Sequence, residues 1–272
     1  MLGAALWVLV AIIVIVALWR PSSESPEPMA DWPPVVIDRL PLPEEQPDFG
    51  SIRDVKTKKR AFFDYLLPMV RNANAAVMEE RLALLPLIDL ARKNALSVIQ
   101  REQLQTLADR YGVDLTDAGD DAALTELKRR IDVVPASLIL AQAANESAWG
   151  TSRFAVSARN FFGIWCFDPG CGLTPRLRDD DLTHEVRLFA TVADGVGYYL
   201  HTINTHRAYT ELRQTRETLR LSGKTIRGNA LAEGLIRYSE RGGEYVDEIQ
   251  AMIRVNRLHE YTLDYAALLP ED

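Results

Sequence analysis

The sequence predicts a mostly helical protein with one small β-hairpin. From residue 51 onward, apolar side chains recur at the spacing of one helix face, as in Phe62, Leu66 and Val70. No long alternation of apolar and polar residues, the mark of a half-buried strand, occurs before about residue 172. The 272 residues are 47% hydrophobic and 25% charged, which excludes wholesale disorder and fibrous repeats. A net charge of −7 makes nucleic acid a poor partner, because phosphates require clustered Lys and Arg.

The N-terminus predicts a membrane-spanning helix. Residues Leu2 to Trp19 are all apolar apart from Gly3. As a helix this run would be about 27 Å long, close to the ~30 Å hydrocarbon core of a bilayer. A cleaved secretory signal is the alternative for residues 1–20, but no Lys or Arg precedes the run and no Ala-x-Ala-like site follows it. We therefore expect an uncleaved anchor.

Residues 21–50 form a proline-rich, acidic segment. The segment contains eight prolines, too many for a helix or a buried core. We expect an extended linker that holds the folded part away from the bilayer.

The helices that follow are expected to serve packing. Pro68 should kink or end the first helix, and Pro86 the next one. Further helices are predicted over residues 101–110 and 121–131, with a loop at 112–120 between them. Later helices are predicted from about 196 to 207 and from about 244 to 258.

A candidate catalytic residue lies in the segment 133–150 (VVPASLILAQAANESAWG). Pro135 and Gly150 suit the first turn and the end of a helix that is apolar on most sides. Glu146 lies near the carboxyl end of this buried helix, where burial and the helix dipole both raise its pKa. A carboxylic acid that stays protonated near neutral pH is suited to general acid catalysis. The structural alternative is that Glu146 caps a loop or pairs with Arg153.

Aromatic residues follow Glu146 closely. Trp149 lies one turn further on, and Asn160, Phe162 and Trp165 belong to the segment NFFGIW. Aromatic faces hold sugar rings and exclude water from a nearby acid. These four residues are therefore candidate substrate-binding residues.

The segment AQAANESAWGTSRFA, followed by NFFGIW, resembles the catalytic core of glycoside hydrolase family 73. It resembles more closely the Bax-type proteins of the mannosyl-glycoprotein endo-β-N-acetylglucosaminidase-like superfamily, from about residue 58 to 254. The resemblance implies a lysozyme-like fold with a small β-lobe, a helical region at 51–120 and a catalytic domain at 121–268. It also implies hydrolysis of β-1,4 bonds next to N-acetylglucosamine in peptidoglycan, with Glu146 as the proton donor.

The same resemblance assigns two tyrosines near the sugar, Tyr238 and Tyr245. Tyr245 also fits the buried stripe of the last helix, so that a core role is equally open. Partners implied are peptidoglycan glycan strands and the inner membrane, with the catalytic domain in the periplasm.

A second carboxylate is harder to assign. Glycosidases place one ~5–5.5 Å from the first if it is a nucleophile, or ~6.5–9.5 Å away if it activates water. The related family carries it on the first β-lobe strand, where this chain has Thr174 to Leu177. Our candidate is Glu185 on the second strand of the 172–192 hairpin. Alternatives are an acid of the turn Asp179–Asp181, or assistance by the substrate's acetamido group, and Glu185 could instead face an arginine across the strands.

Cys166 and Cys171 flank a turn that can bring their Cα atoms together, so a disulfide is expected, with two free thiols as the alternative. No metal site is expected, since the four histidines form no H-E-x-x-H motif, and no cofactor is expected either. Two other functions stay open: a lytic transglycosylase that uses Glu146 alone, and a non-catalytic peptidoglycan-binding scaffold.

Overall fold

A computed structural model describes residues 36–176, 183–265 and 268–269. The expected membrane anchor, most of the linker before residue 36 and the turn Asp179–Asp181 lie outside these residues. None of the helices within the described ranges has the length and apolarity required to span a membrane.

The described chain is mostly helical with a three-stranded sheet, as the sequence predicts. Its elements, in chain order, are α1 (Val55–Arg92), α2 (Val98–Arg110), α3 (Asp121–Arg130), α4 (Ala136–Glu146), α5 (Arg153–Ala158), β1 (Trp165–Cys166), β2 (Gly172–Leu173), β3 (Glu185–Arg187), α6 (Val192–Thr205), α7 (Thr210–Leu221), α8 (Gly228–Ala232) and α9 (Gly243–Val255). Short 3-10 helices span Arg207–Tyr209, Glu233–Leu235 and Leu258–Tyr261. Helices α5, α7 and α8 were not predicted from the sequence.

Helix α1 corrects the expectation of two helices separated by proline. It begins after Asp54, whose side chain accepts a 2.8 Å hydrogen bond from the backbone N–H of Thr57, and it runs through both Pro68 and Pro86. Each proline removes one backbone hydrogen bond from the helix. Because α1 packs against α4 and α6, the burial of its apolar face keeps the helix continuous.

Helix α4 is the centre of the hydrophobic core. Every residue from Ala136 to Ala144 is buried, and the helix contacts α1, α8, α9 and the 3-10 helix Leu258–Tyr261. The predicted buried helix is therefore confirmed. Pro135 caps its start, and the helix ends at Glu146 rather than continuing to Gly150.

The turn after α4 requires glycine at its last position. Gly150 has a φ of +76°, and its backbone N–H donates a 2.8 Å hydrogen bond to Oγ of Ser147. A Cβ at residue 150 would lie 2.4 Å from the ring of Phe49. This close approach places the ring of Phe49 against the turn that follows Glu146.

The sheet contains the predicted hairpin and one further strand. Strands β2 and β3 pair antiparallel, with Leu173 opposite Val186, and β1 pairs with the other edge of β3, with Cys166 opposite Glu185. The strands are shorter than the 172–192 pattern suggested.

Elsewhere the predicted elements are confirmed with shifted ends. The loop at 112–120 separates α2 from α3 as expected. Helix α6 begins four residues earlier than predicted, because Thr191 and Asp194 form a capping box there. Helix α9 ends at Val255, before the predicted end near 258.

We expect the substitution Gly150→Ala to lower the free energy of unfolding by about 1–3 kcal/mol more than Gly170→Ala does. Both glycines have positive φ, +76° and +80°, so both variants carry the same backbone strain. Among the described residues, the new methyl group meets another side chain only at residue 150, since none of them lies within 4 Å of a Cβ at residue 170. Urea unfolding of the two variants measures the difference, and equal losses would contradict the packing of Phe49 on this turn.

Candidate active site

Glu146 is a half-buried carboxyl group at the carboxyl end of α4. Burial raises its pKa from 4.5 to about 7, although hydrogen bonds from Tyr245 and Asn145 act in the opposite direction. The guanidinium proposed as its alternative partner, Arg153, donates instead to the carbonyl of Thr174 at 2.7 Å and lies over the ring of Phe154. With a pKa of about 7, Glu146 is about half protonated at neutral pH, whereas an ordinary carboxyl group would be ionised.

A chain of three hydrogen bonds leads from the protein core to Glu146. The hydroxyl of Tyr199 donates to Oε1 of Gln142, and Nε2 of Gln142 donates to the hydroxyl of Tyr245 at 2.9 Å. The Tyr245 hydroxyl donates in turn to Oε1 of Glu146 at 2.8 Å. Gln142 and Glu146 are one helical turn apart on α4, while Tyr199 comes from α6 and Tyr245 from α9.

These three hydrogen bonds determine which group is the donor and which the acceptor at each step. Because the Tyr245 oxygen accepts from Gln142, its own proton is directed at Glu146. Oε1 of Glu146 is therefore an acceptor, and a neutral Glu146 carries its proton on Oε2. Burial and the negative charge on Glu146 both raise the pKa of Tyr245, so the hydroxyl stays a donor at physiological pH.

Aromatic rings line the core side of this hydrogen-bond chain. Tyr238 stacks on Tyr245 with ring centroids 5.4 Å apart, and Phe162 stacks on Tyr199 at 4.2 Å. The hydroxyl of Tyr238 donates to the carbonyl of Phe162 at 2.9 Å, which ties the two stacks together. We call Phe162, Tyr199, Tyr238 and Tyr245 the aromatic box.

A largely apolar cavity of about 310 Å³ adjoins the aromatic box. Phe162, Tyr199 and Tyr238 form part of its wall, together with Tyr198 and Tyr209. The cavity is thus separated from the Tyr245 hydroxyl by the ring of Tyr238, one face of which stacks on Tyr245.

The electrostatic surroundings of Glu146 also include an ion pair between the loop before α9 and α9 itself. Arg241 and Glu248 are paired at 2.5 Å, and the guanidinium of Arg241 lies 5.7 Å from the centre of the Tyr245 ring. Arg241 lowers the pKa of Glu146 and Glu248 raises it, so the two charges act in opposite directions.

Trp149, a predicted sugar-binding residue, packs on α1. Its ring lies edge-on against Phe62 and Phe63, with the ammonium group of Lys59 4.8 Å from its centre. Because the side chain is only half-buried, its role at a sugar stays a prediction.

The side chain of Asn160 is buried and its hydrogen bonds go to backbone groups, which argues against the sugar-binding role predicted for it. Its Nδ2 donates to the carbonyls of Ile164 and Arg187, and its Oδ1 accepts from the N–H groups of Phe162 and Ile164. Asn160 therefore shapes the NFFGIW segment and joins it to β3.

Tyr245 and Phe162 are buried as well, 1% exposed each, and Tyr238 is 4% exposed. Tyr245 is accordingly a positioning residue for Glu146, and Phe162 supports Tyr199. Tyr238, Trp149 and Trp165 remain the predicted residues with a surface that a ligand could use. Trp165 is half-buried and stacks on His184 at 4.0 Å.

Glu185, the candidate second carboxylate, binds the loop beside it. Its two oxygens accept hydrogen bonds from the backbone N–H groups of Gly170 and Gly172, at 3.1 and 2.7 Å. The same loop is closed by the Cys166–Cys171 disulfide, whose Cα atoms are 6.2 Å apart. Glu185 therefore holds the loop of the β-lobe, and this bonding is the physical reason against the catalytic role predicted for it.

Sequence reasoning missed the parts played by Gln142 and Tyr199. The i, i+4 spacing of Gln142 and Glu146 was the available signal, because it places both side chains on one helix face. The partner from α6 had no such signal, since it depends on how the helices pack.

A half-buried glutamic acid with a pKa raised to about 7, close to aromatic rings, can act as the proton donor that a glycosidase requires. The comparisons agree with this class. The chain belongs to the Glucosaminidase family, described as mannosyl-glycoprotein endo-beta-N-acetylglucosaminidase, whose profile matches residues 121–258. It is 29% identical over 211 residues to Protein bax of Escherichia coli strain K12, covering 78% of this chain and 74% of that protein. No solved structure gives a significant match.

We expect the substitution Tyr245→Phe to raise the pKa of Glu146 by about one unit or more. The variant removes a hydrogen bond that stabilises the ionised carboxylate, and such bonds are worth about 1.5–3 kcal/mol, with 1.36 kcal/mol per pKa unit. A ¹³C NMR titration of the Glu146 carboxyl group measures the shift. Tyr238→Phe is the matched control, because its hydroxyl bonds to Phe162 and not to Glu146. An equal shift in both variants would contradict the assigned hydrogen bond.

Proposed function

We propose that this protein cleaves β-1,4 glycosidic bonds next to N-acetylglucosamine in peptidoglycan, with Glu146 as the general acid. The observation that carries the proposal is the pKa of Glu146, raised by burial to about 7. Membership of the Glucosaminidase family supports the class of bond. The glycan substrate and the role of Glu146 are the parts that experiment must test.

Side chains of the protein itself donate the proton and stabilise the charge that remains. Neutral Glu146 gives the proton on Oε2 to the oxygen that leaves the broken bond, and Glu146 becomes a carboxylate. As negative charge develops, the Tyr245 hydroxyl at 2.8 Å strengthens its hydrogen bond to Oε1. Gln142 and Tyr199 hold that hydroxyl in place, so the donor requires no reorganisation during the reaction.

The cavity of about 310 Å³ beside the aromatic box is the proposed place for a sugar unit away from the bond that is cut, because Glu146 does not line it. Its apolar wall suits the hydrophobic faces of sugar rings. Tyr238 is the residue shared by this cavity and the stack on Tyr245.

A lytic transglycosylase is the second candidate, and the bonding of Glu185 favours it. A reaction with one acid needs no second carboxylate, and Glu185 is held by the N–H groups of Gly170 and Gly172. Glu248 is the acid whose charge acts on Glu146, but it is paired with Arg241. In a hydrolase, a water molecule adds to the anomeric carbon as the glycosidic C–O bond breaks, and its proton goes to Glu248. If the substrate's own acetamido group bonds to that carbon first, the water that follows gives its proton to the Glu146 carboxylate.

We also propose that the folded part works in the periplasm, held at the inner membrane by residues 1–20. The apolar run from Leu2 to Trp19 supports an anchor, and the Cys166–Cys171 disulfide suits an oxidising compartment.

We expect Glu146→Gln to reduce the release of muropeptides from purified sacculi by about 10²–10⁴-fold, the usual contribution of general acid catalysis. The amide keeps the size of the side chain and can still accept from Tyr245, so the fold should persist. Glu102→Gln, at an exposed position on α2, is the matched control and should keep full activity.

Mass spectrometry of the products separates the two candidate reactions. Reducing sugar ends indicate hydrolysis, and 1,6-anhydromuramic ends indicate a transglycosylase. If Glu146→Gln releases muropeptides as fast as the parent protein, Glu146 is not the acid. Binding to sacculi without any cleavage by the parent protein would leave a non-catalytic scaffold as the function.

A further inference from the structure

A second, larger cavity of about 640 Å³ lies apart from the Glu146 region. It is bounded by α1, α3, the segment 132–136, α7 and residues 261–265. None of its lining residues belongs to the aromatic box or to the hydrogen-bond chain that ends at Glu146. Its size is typical of small-molecule sites.

The charge of this cavity is opposite to that of the chain. Seven Arg and Lys residues and four Asp and Glu residues line it, although the chain as a whole has a net charge of −7. Four of the seven cations are paired with carboxylates, and within the described residues Arg71, Lys128 and Lys224 form no ion pair. A concave wall with this balance attracts anions.

Part of the positive charge is buried in the cavity wall. The carboxylate of Asp132 forms two hydrogen bonds with Arg220, at 2.6 and 2.8 Å, and lies 3.6 Å from Arg81 and 3.9 Å from Arg216. One carboxylate thus faces three guanidinium groups. Of the three, Arg81 and Arg220 line the cavity, and burial lowers the pKa of Arg81 despite Asp132.

Two of the guanidinium groups have spare donors. Within the part of the chain that the structure describes, Nε of Arg81 and Nε of Arg71 are buried without a hydrogen-bond partner. The side chain of Arg81 is only 4% exposed. Both Nε atoms have almost no exposed surface, so they mark arginines of the cavity wall whose donors the protein leaves unused, rather than contacts already open to a ligand.

We propose that this cavity binds an oxyanion attached to an apolar body, such as a carboxylate or a phosphate ester. The planar guanidinium groups of Arg71 and Arg81 match the geometry of both anions. Ile88, Val134, Tyr261 and Tyr265 supply the apolar part of the wall. The proposal concerns a site separate from Glu146 and stands whether or not the chain cleaves glycans.

Calorimetric titration of the full chain with phenyl phosphate, phenylacetate and inorganic phosphate tests the site. We expect saturable binding of at least one of the two phenyl compounds, tighter than that of inorganic phosphate because the apolar body is also bound. The compound that binds more tightly identifies the anion as phosphate ester or carboxylate. Sodium chloride at equal ionic strength controls for general screening.

The double substitution Arg71→Gln and Lys128→Gln should weaken this binding by about tenfold or more, the effect of losing one charge-assisted bond. Arg81 stays in place, because it also donates to the carbonyls of Lys128 and Ile131 and its loss could prevent folding. Lys56→Gln with Arg101→Gln is the matched control, since it removes the same charge from two exposed positions outside the cavity. Absence of saturable binding, or equal weakening in both double variants, would overturn the proposal.

Discussion

The account of this protein depends on the burial of one carboxyl group without a cation bonded to it. Glu146 is placed at the end of the most deeply buried helix, and its hydrogen-bond partners are neutral. Low dielectric around a carboxyl group favours the neutral form, unless a positive charge compensates for the lost water. The other helices contribute to the site by supplying neutral groups: α6 gives Tyr199 and α9 gives Tyr245, both of which point their hydroxyls into one directed chain.

Asp132 is a buried acid of the same protein whose neighbours are positively charged. Burial alone would raise its pKa, but Arg81, Arg216 and Arg220 hold the pKa below its usual value. Asp132 is thereby a fixed anion that joins α1, α7 and the segment before α4. Glu146 is half-buried and lacks such partners, and its pKa moves the other way. The contrast separates a structural carboxylate from one that can exchange a proton.

Local sequence patterns were enough to identify α4 and Glu146, because a carboxylate among apolar residues at helical spacing implies burial whatever the partners are. The disulfide and the hairpin also follow from short-range spacing. The continuity of α1 through Pro68 and Pro86 did not follow, since tertiary packing outweighed the local cost of proline.

The hydrogen-bond partners of Asn160, Glu185 and Tyr245 could not be predicted from the sequence either. Their partners are backbone groups or side chains from other elements, and the choice between binding a ligand and binding the protein depends on where those groups lie. For Glu185 and Tyr245 the sequence left a structural role open beside the functional one. The folded chain uses all three internally, which is how a small β-lobe and an acid at a helix end are held in fixed positions.

The most direct test of a protonated Glu146 is the pH dependence of its effect on stability. Between the ordinary pKa of 4.5 and about 7, the folded protein retains a proton that the unfolded chain has released, so stability falls as pH rises through this window. Glu146→Gln lacks this titration. Urea unfolding from pH 4.5 to 8 should therefore show the variant gaining about 1–3 kcal/mol relative to the parent, less than the full pKa shift implies because the side chain is partly open to solvent. Parallel stability curves for the two proteins would contradict the buried, neutral acid.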